Sequence, residues 1–488
     1  MKLLSVTGAL LGAAVSAHAA SSSLSAVSVV GNKFFNTDGS QFFIKGIAYQ
    51  LSEDDPLVDG DQCARDVALM KTLGTNTIRV YHVDASADHS SCMSAFAEAG
   101  IYTLIDLDTF DTYIMDATMS TPRWSQDQYN SYAAVMDAFA NYTNVLGFFI
   151  GNEVIALLNQ SIAAPYIKAA AHDMKAYRDS KNYRQIPIGY SAADIAELRP
   201  MLQDYLTCGG DTADNVDFFS LNSYEWCDPS TFKESGYQNL ESQAVGFPVP
   251  LFFSETGCNV PGPRLFEDQA SILGSDMDND WSGAIIYEWI QEANNYGLIT
   301  YGDGAASDDV PRSGTPNPMT PDFANLKGQW ATLNPTGVKS ADYDAKTIST
   351  RACPASTAGG WEIDGNVPLP TIGSKALASA NGDSDASPSA TGKGNVASTA
   401  FVSTFASASV SASAGDATKT SKTTAKASTT GTTGGSSPSG TASGSAAGST
   451  GSAKSSAASL KSLSVFNREF TAAGAALVGV MMVFTLWL

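Results

Sequence analysis

This 488-residue sequence predicts a single eight-stranded parallel (β/α)8 TIM barrel followed by a disordered tail. Three observations point there. Short apolar runs rich in β-branched and aromatic residues recur eight times between residues 42 and 289, with helical patterns between them. Continuous apolar strands alternating with helices indicate parallel strands covered on both faces. The eight units fit into about 260 residues, the size of such a barrel. Finally, 41 of the 50 residues from 401 to 450 are Gly, Ser, Thr or Ala, too few apolar groups to offset the entropy of ordering the segment. A doubly wound open sheet is the competing arrangement, but no G-x-G-x-x-G follows the first strand.

In chain order, Met1 and Lys2 precede an apolar run over 3–15 that closes on Ala17-His18-Ala19. A basic start, short apolar core and A-x-A exit describe a secretory signal peptide at 1–19; a buried first helix would not stop at a cleavage pattern. The strands are expected at 42–48, 76–81, 102–107, 145–151, 186–190, 218–222, 250–254 and 283–289. Helices are expected at 63–73, 92–99, 128–142 and 165–180. The last places Ile167, Ala170, Ala171, Met174 and Tyr177 on one face. These elements make 20–370 the (β/α)8 domain and 371–458 a Ser/Thr-rich stalk open to O-glycosylation. Residues 471–488 are apolar with no Lys or Arg among them, and small residues lie upstream at 452–458. That order reads as a GPI-attachment propeptide at 459–488, removed on maturation to leave a lipid-anchored protein at the plasma membrane. A conventional C-terminal span, usually held by basic residues on the cytoplasmic side, is the alternative.

The formal charge is −21, and residues 21–373 carry −26. Such a surface repels phosphate backbones and argues against a nucleic-acid partner; a neutral substrate is the easy case. Six cysteines (Cys63, Cys92, Cys208, Cys227, Cys258, Cys353) in a secreted chain imply three disulfides, with 15 possible connectivities. His82, His89 and His172 are too scattered for a zinc site, so neither a metal nor another cofactor is expected. Two acidic clusters, Glu53, Asp54, Asp55, Asp59, Asp61 and Asp276, Asp278, Asp280, read as solvated loops because the second lacks the Gly and terminal Glu of a calcium loop. Sequons at Asn141 and Asn159 are candidate glycosylation sites.

In this barrel the chemistry sits at the C-terminal ends of the strands, and polar residues cluster there. Tyr81-His82 follow the second strand, Asp106 and Asp108 flank the end of the third, and Asn152-Glu153 follow the fourth. Asn222 and Tyr224 lie at the sixth, Glu255 at the seventh and Tyr287-Glu288-Trp289 at the eighth. Cleaving an acetal needs a proton for the leaving oxygen and a negative charge on the opposite face of the sugar, which two carboxyls about 5 Å apart supply in retaining enzymes. Glu153, partly buried and near a second carboxylate, is read as the acid/base. Glu255 is read as the ionised nucleophile, oriented by neighbouring phenols, and Asn152 as the partner of the sugar 2-hydroxyl. Asp106 is assigned to substrate binding or support of the site; Asp108, Glu225 and Glu288 are read as structural acids. Tyr296, in the polar stretch Asn294-Asn295-Tyr296-Gly297, is the candidate exposed stacking platform.

The strings Lys45-Gly46-Ile47-Ala48-Tyr49-Gln50, Ile78-Arg79-Val80-Tyr81, Gly151-Asn152-Glu153, Asn222-Ser223-Tyr224-Glu225-Trp226-Cys227, Phe253-Ser254-Glu255-Thr256-Gly257-Cys258 and Tyr287-Glu288-Trp289 carry a likeness. Together they resemble the fungal glycoside hydrolase family 72, GPI-anchored β-1,3-glucanosyltransferases of the cell wall. The resemblance implies an enzyme that cuts a β-1,3-glucan internally, keeps the portion with the new reducing end as a glucosyl-enzyme, and passes it to the non-reducing end of another glucan. It implies Glu153 as acid/base, Glu255 as nucleophile, Tyr81, Asn152, Tyr224 and Tyr287 in the donor site, and Tyr296 at an acceptor subsite. It also implies the pairs Cys63–Cys92, Cys227–Cys258 and Cys208–Cys353. Many members carry a cysteine-rich carbohydrate-binding module after the barrel; here only Cys353 lies beyond Cys258, which implies the form without it. A monomer acting on glucan donor and acceptor chains is the expectation. A hydrolytic endo-β-1,3-glucanase and a non-catalytic wall adhesin or scaffold remain the alternatives.

Overall fold

A computed structural model describes residues 24–51, 55–109, 111–302 and 311–373. The expected signal peptide, GPI propeptide and all but the first three residues of the expected stalk lie outside these residues. Eight parallel strands close into a barrel in sequence order: β1 (Ile44–Ala48), β2 (Thr77–Val80), β3 (Tyr102–Asp106), β4 (Val145–Asn152), β5 (Ile188–Ala193), β6 (Phe218–Asn222), β7 (Leu251–Thr256) and β8 (Trp281–Ile286), the last pairing back onto β1. Helices α1 (Gly60–Leu73), α2 (Ser90–Glu98), α3 (Gln126–Phe139), α4 (Ala164–Ser180), α5 (Arg199–Thr207), α6 (Tyr237–Ala244), α7 (Asp268–Ile272) and α8 (Asp322–Thr332) follow the strands in turn.

Local chemistry sets the helix ends. Asp59 caps α1 by accepting from the Gln62 N–H, and Ser125 caps α3 from Gln128 N–H, each satisfying an otherwise orphaned donor. Gly74 ends α1 at φ +92°, a left-handed conformation that favours glycine. Pro165 sits in the first turn of α4, where its missing N–H costs nothing.

The interior of the barrel changes character along its axis. Its lower part is filled by Ile44, Leu104, Leu146, Phe149, Phe218, Phe252 and Ile285. An N-terminal hairpin, Ser28–Val30 with Lys33–Phe35, adds Phe34, whose ring packs on Phe218 and Phe252. A Cβ at position 189 would lie 2.2 Å from the Phe218 ring, so Gly189 makes the room that ring occupies. Toward the strand C-termini, Arg79, Asp106, Ser191, Asn222 and Ser254 replace the hydrocarbon, and all are buried. That polar layer is the floor of the site.

Two strands differ from expectation in a way that matters. β5 begins two residues later than the expected 186–190, after Pro187, which has no N–H for a ladder, and runs on to Ala193. The extension brings Ser191 into the polar layer. β8 begins earlier and stops at Ile286, because the chain then leaves the ladder with Leu298 and Ile299 bonded back to Trp289. The acidic loop after β1 is also not simply solvated: Asp55 is buried and accepts from the Leu57 and Asp84 N–H groups and bonds His89.

Disulfides join Cys63 to Cys92, Cys208 to Cys353 and Cys227 to Cys258. Beyond Cys353 the chain continues over the outer helices. Trp361 is buried against Tyr205 of α5, the Gly360 C=O and Glu362 N–H bond Ser161, and the Ile372 N–H reaches Asp173 of α4. Among the described residues no helix is long and apolar enough to cross a membrane.

Candidate active site

The C-terminal end of β4 is built to turn sharply. A Cβ at Gly151 would lie 2.7 Å from Val154, so a larger residue would clash where the strand ends. Glu153 follows at φ +48°. A non-glycine residue there costs on the order of 1–3 kcal/mol and persists only where surroundings hold it. Here the Glu153 N–H donates to the Ser191 carbonyl at 2.9 Å, which projects the carboxyl over the barrel mouth.

Glu255 rises from β7 among donors. Its Oε1 accepts from the Tyr81 hydroxyl at 3.0 Å and from Arg79 Nη1 at 3.4 Å, and its Oε2 accepts from the Tyr224 hydroxyl at 2.8 Å. Glu153 has a sparser shell: Asn222 Nδ2 donates to Oε1 at 3.0 Å, and Oε2 has no hydrogen-bond partner among the described residues. A continuous polar chain joins the two acids. From Glu255 it runs to Arg79, from Arg79 Nη2 to Asn152 Oδ1 at 2.9 Å, and from that oxygen to Asn222 Nδ2 at 3.0 Å, which also reaches Glu153.

Arg79 is fully buried and is the hub of this floor. Its Nε and Nη2 grip Asp106 at 3.1 and 2.8 Å, and Nη1 donates to Ser191 Oγ at 3.2 Å. Its guanidinium lies 4.2 Å from the centre of the Tyr81 ring and 4.4 Å from that of Phe149. Burial opposes charge on both Arg79 and Asp106, and the bidentate geometry holds them as an ion pair. Asn222 is locked from the other side, its Oδ1 accepting from Ser191 Oγ at 3.0 Å and Ser254 Oγ at 2.7 Å.

Burial raises both acids of the cleft. It pushes Glu255 up to about 7, against the pull of Arg79 and with help from the charge of Glu153. Glu153 is raised by burial too, although its side chain remains partly open to the cleft. Two carboxyls that share a site titrate as a pair, and the donors decide which carries the charge. Arg79 can only donate, so its contact favours the anion on Glu255 over one on Glu153, with which it makes no hydrogen bond among the described residues. Burial keeps the Tyr81, Tyr224 and Tyr287 hydroxyls protonated, and therefore donors.

The aromatic residues gather on one side. The Tyr224, Tyr287 and Tyr296 rings meet edge to face, with centroids 5.4 Å apart for both Tyr296 pairs. Tyr296 is thus not a lone exposed platform: it is half-buried, and its ring edges are shared with the other two. Asp106 lies buried beneath Arg79 instead of facing the cleft. Asp108 is buried beside it and pushed up to about 8 by burial and the Asp106 charge. Asn141 and Asn159 are exposed. No group of three or more His, Cys, Asp or Glu among the described residues is arranged to hold a metal ion.

Sequence reasoning named Gln50, Arg79, Asn222 and Ser254 without giving them a role in the site, and did not single out Ser191. One signal was present: an Arg inside the otherwise apolar strand Thr77-Ile78-Arg79-Val80 must find buried partners. The serines carry no such signal, because only the barrel closure brings β2, β5, β6 and β7 to one point.

Comparison with known proteins identifies the family. The glucanosyltransferase family model, glycoside hydrolase family 72, matches residues 16–334. The 1,3-beta-glucanosyltransferase gel1 of Aspergillus fumigatus is 42% identical over 383 residues, covering 76% of this chain and 80% of gel1. Protein EPD1 of Candida maltosa is 41% identical over 358 residues, 72% of this chain; the match spans only 62% of the length of EPD1. Among solved structures, Saccharomyces cerevisiae Gas2p in complex with laminaritetraose and laminaripentaose superposes with a TM-score of 0.65 at 37% identity, covering 72% of this chain and 76% of that one. A barrel that lifts two acids over a shared polar floor, and a family match over most of the described residues, lead to one conclusion: this chain belongs to the glucanosyltransferases of glycoside hydrolase family 72.

Proposed function

We propose that the protein is a retaining β-1,3-glucanosyltransferase that cleaves a β-1,3-glucan and joins the retained part to the non-reducing end of another chain. The observation that carries this reading is the asymmetry of the two acids: Glu255 is surrounded by Arg79 and two phenols, while one oxygen of Glu153 has no hydrogen-bond partner among the described residues. One is prepared to act as an anion and the other to move a proton. The names of gel1 and Gas2, and the laminari-oligosaccharides bound in Gas2p, support the substrate class.

In the first step a Glu255 oxygen attacks the anomeric carbon of the sugar at the cleavage point, and Glu153 gives its proton to the departing glycosidic oxygen. The fragment with the original reducing end leaves. The rest remains as a glucosyl ester of Glu255. Glu153, now ionised, takes the proton from the 3-hydroxyl at the non-reducing end of an incoming chain as that oxygen attacks the same carbon. The ester bond breaks, and two inversions leave the β linkage unchanged. Asn152 Nδ2, which has no acceptor among the described residues, hydrogen-bonds the sugar 2-hydroxyl in this scheme. Tyr81, Tyr224 and Tyr287 line the donor site, Tyr296 the acceptor side, and Asp106 acts through Arg79. Water at roughly 55 M competes for the ester, so transfer requires an acceptor held at high effective concentration.

The composition supports the accompanying proposal that a monomer is secreted through the signal at 1–19 and carries domain 20–370 on the stalk 371–458. Anchoring by a GPI lipid after loss of 459–488, and glycans at Asn141 and Asn159, complete it. The test is incubation with one laminari-oligosaccharide. Products longer than the starting material are expected, with none from Glu153→Gln or Glu255→Gln proteins of unchanged circular dichroism. Shorter products alone would mean a hydrolase, no products from the wild type would mean an adhesin, and an active variant would overturn the site assignment.

A further inference from the structure

We propose that Glu288 is a positioning residue for transfer: through Asn294 it holds Tyr296 at the cleft, and so sets how much cleaved donor goes to a sugar instead of to water. The inference rests on the transferase reading above and adds to it a residue that touches neither substrate nor the reacting atoms.

Glu288 lies two residues beyond the end of β8 and is fully buried. Its Oε1 accepts from Asn294 Nδ2 at 2.7 Å, and its Oε2 accepts at 3.2 Å from Gln50 Nε2, which also donates to the Tyr287 hydroxyl at 2.9 Å. The backbone closes a second loop. The Glu288 N–H donates to the Tyr296 carbonyl at 3.1 Å, and the Tyr296 N–H donates to Asn294 Oδ1 at 3.1 Å. The Asn294 carbonyl in turn accepts from Asn259 Nδ2 at 2.9 Å, tying in the segment after β7. Between these anchors Asn295 sits at φ +65°, a left-handed conformation kept only while its flanks are held. Gln291 also holds the turn, donating to Asn295 Oδ1 and accepting from the Gly297 N–H, each at 2.9 Å, and Arg264 donates to the Gly297 carbonyl at 3.0 Å; the Asn294 side chain, which positions the Tyr296 N–H, is the part that Glu288 holds.

The turn reaches the reacting centre through Tyr224. The Tyr296 ring meets the Tyr224 ring at 5.4 Å, and the Tyr224 hydroxyl donates to Glu255 Oε2 at 2.8 Å. A loosened Tyr296 reduces the time an acceptor sugar spends in line with the ester, whereas water needs no platform. Loss of Glu288 thus alters the partition of a shared intermediate. Burial and the neighbouring Glu292 push the Glu288 carboxyl well above its ordinary range, so neutral Gln is its nearest replacement. Gln keeps an oxygen for Asn294 and presents an amide nitrogen to Gln50, whose own amide can turn to accept it.

The experiment uses the full-length enzyme, a laminari-oligosaccharide donor and a labelled laminari-oligosaccharide acceptor. The readout is the ratio of transfer to hydrolysis products as acceptor concentration rises. Both products come from the same ester on the same folded molecules, so partial loss of folded enzyme does not move the ratio. We expect it to fall about tenfold in Glu288→Ala, Asn294→Ala and Tyr296→Ala, with a raised acceptor KM, and to stay within about twofold of wild type in Glu288→Gln. A wild-type ratio in Glu288→Ala, or a ratio in Glu288→Gln as low as in Glu288→Ala, overturns the inference while leaving the transferase reading intact. A wild-type enzyme that makes no longer product overturns that reading itself, and this inference with it.

Discussion

Replacing Arg79 separates what holds the site together from what makes it react. Arg79→Met leaves the Asp106 carboxylate buried without its cation, a change that typically costs about 3–5 kcal/mol. For a folded unit of about 350 residues, an unfolding entropy of ~2.1 cal/mol/K per residue converts that into a fall of about 4–7 °C in Tm. The chemistry suffers separately. At the 3.4 Å between Arg79 Nη1 and Glu255 Oε1, an effective dielectric of ~20 gives an attraction of about 5 kcal/mol. Losing it raises a carboxyl already near 7 and cuts its ionised fraction below neutral pH about 10³-fold or more. The double change Arg79→Met with Asp106→Asn removes both halves of the ion pair. It should restore more than half of the lost Tm, yet leave donor cleavage about 10³-fold down. Differential scanning calorimetry and cleavage of a laminari-oligosaccharide, read on the same preparations, make the comparison. Activity that returns with stability in the double variant would refute the claim that Arg79 keeps Glu255 ionised; an unchanged Tm in the single variant would refute the ion-pair argument.

Further expectations follow from the same geometry. Glu153→Gln should fail on glucan but still form the glucosyl-enzyme from a laminari-oligosaccharyl fluoride, whose leaving group needs no proton. Its acid-side pH limb on the fluoride should stay near the wild-type limb at about 7, because neutral Gln stands in for the protonated Glu153 beside Glu255; a limb lowered by a full unit would mean that Glu153 is ionised while Glu255 titrates and counts against its role as the acid. Tyr224→Phe removes a donor from the Glu255 carboxylate, a bond of about 1.5–3 kcal/mol, so cleavage should drop about 10–100-fold in steady-state kinetics. Trp361→Ala should lower Tm by about 4–7 °C through lost packing of about 3–5 kcal/mol, with turnover per folded molecule unchanged. Opening Cys227–Cys258 by paired serines, with its sequence separation of 31, should cost about 3–4 kcal/mol by denaturant melts.

The sequence by itself determined the alternation of strand and helix, hence the barrel, and the strand ends at which Asn152-Glu153 and Glu255 appear. These are local facts. A run of β-branched and aromatic residues must pair, a capped amphipathic run must cover it, and an acid directly after an apolar strand must reach solvent or a partner. The tertiary structure alone decided who those partners are. Arg79, Ser191, Asn222 and Ser254 lie on four strands separated by up to 175 positions, and only closure of the sheet brings their side chains within hydrogen-bond reach. It likewise showed Asp106 serving a guanidinium and Tyr296 leaning on two other phenols. The difference is physical: periodicity and capping depend on neighbours a few residues apart, whereas the charge state of Glu255 depends on the desolvation and donors that long-range packing creates.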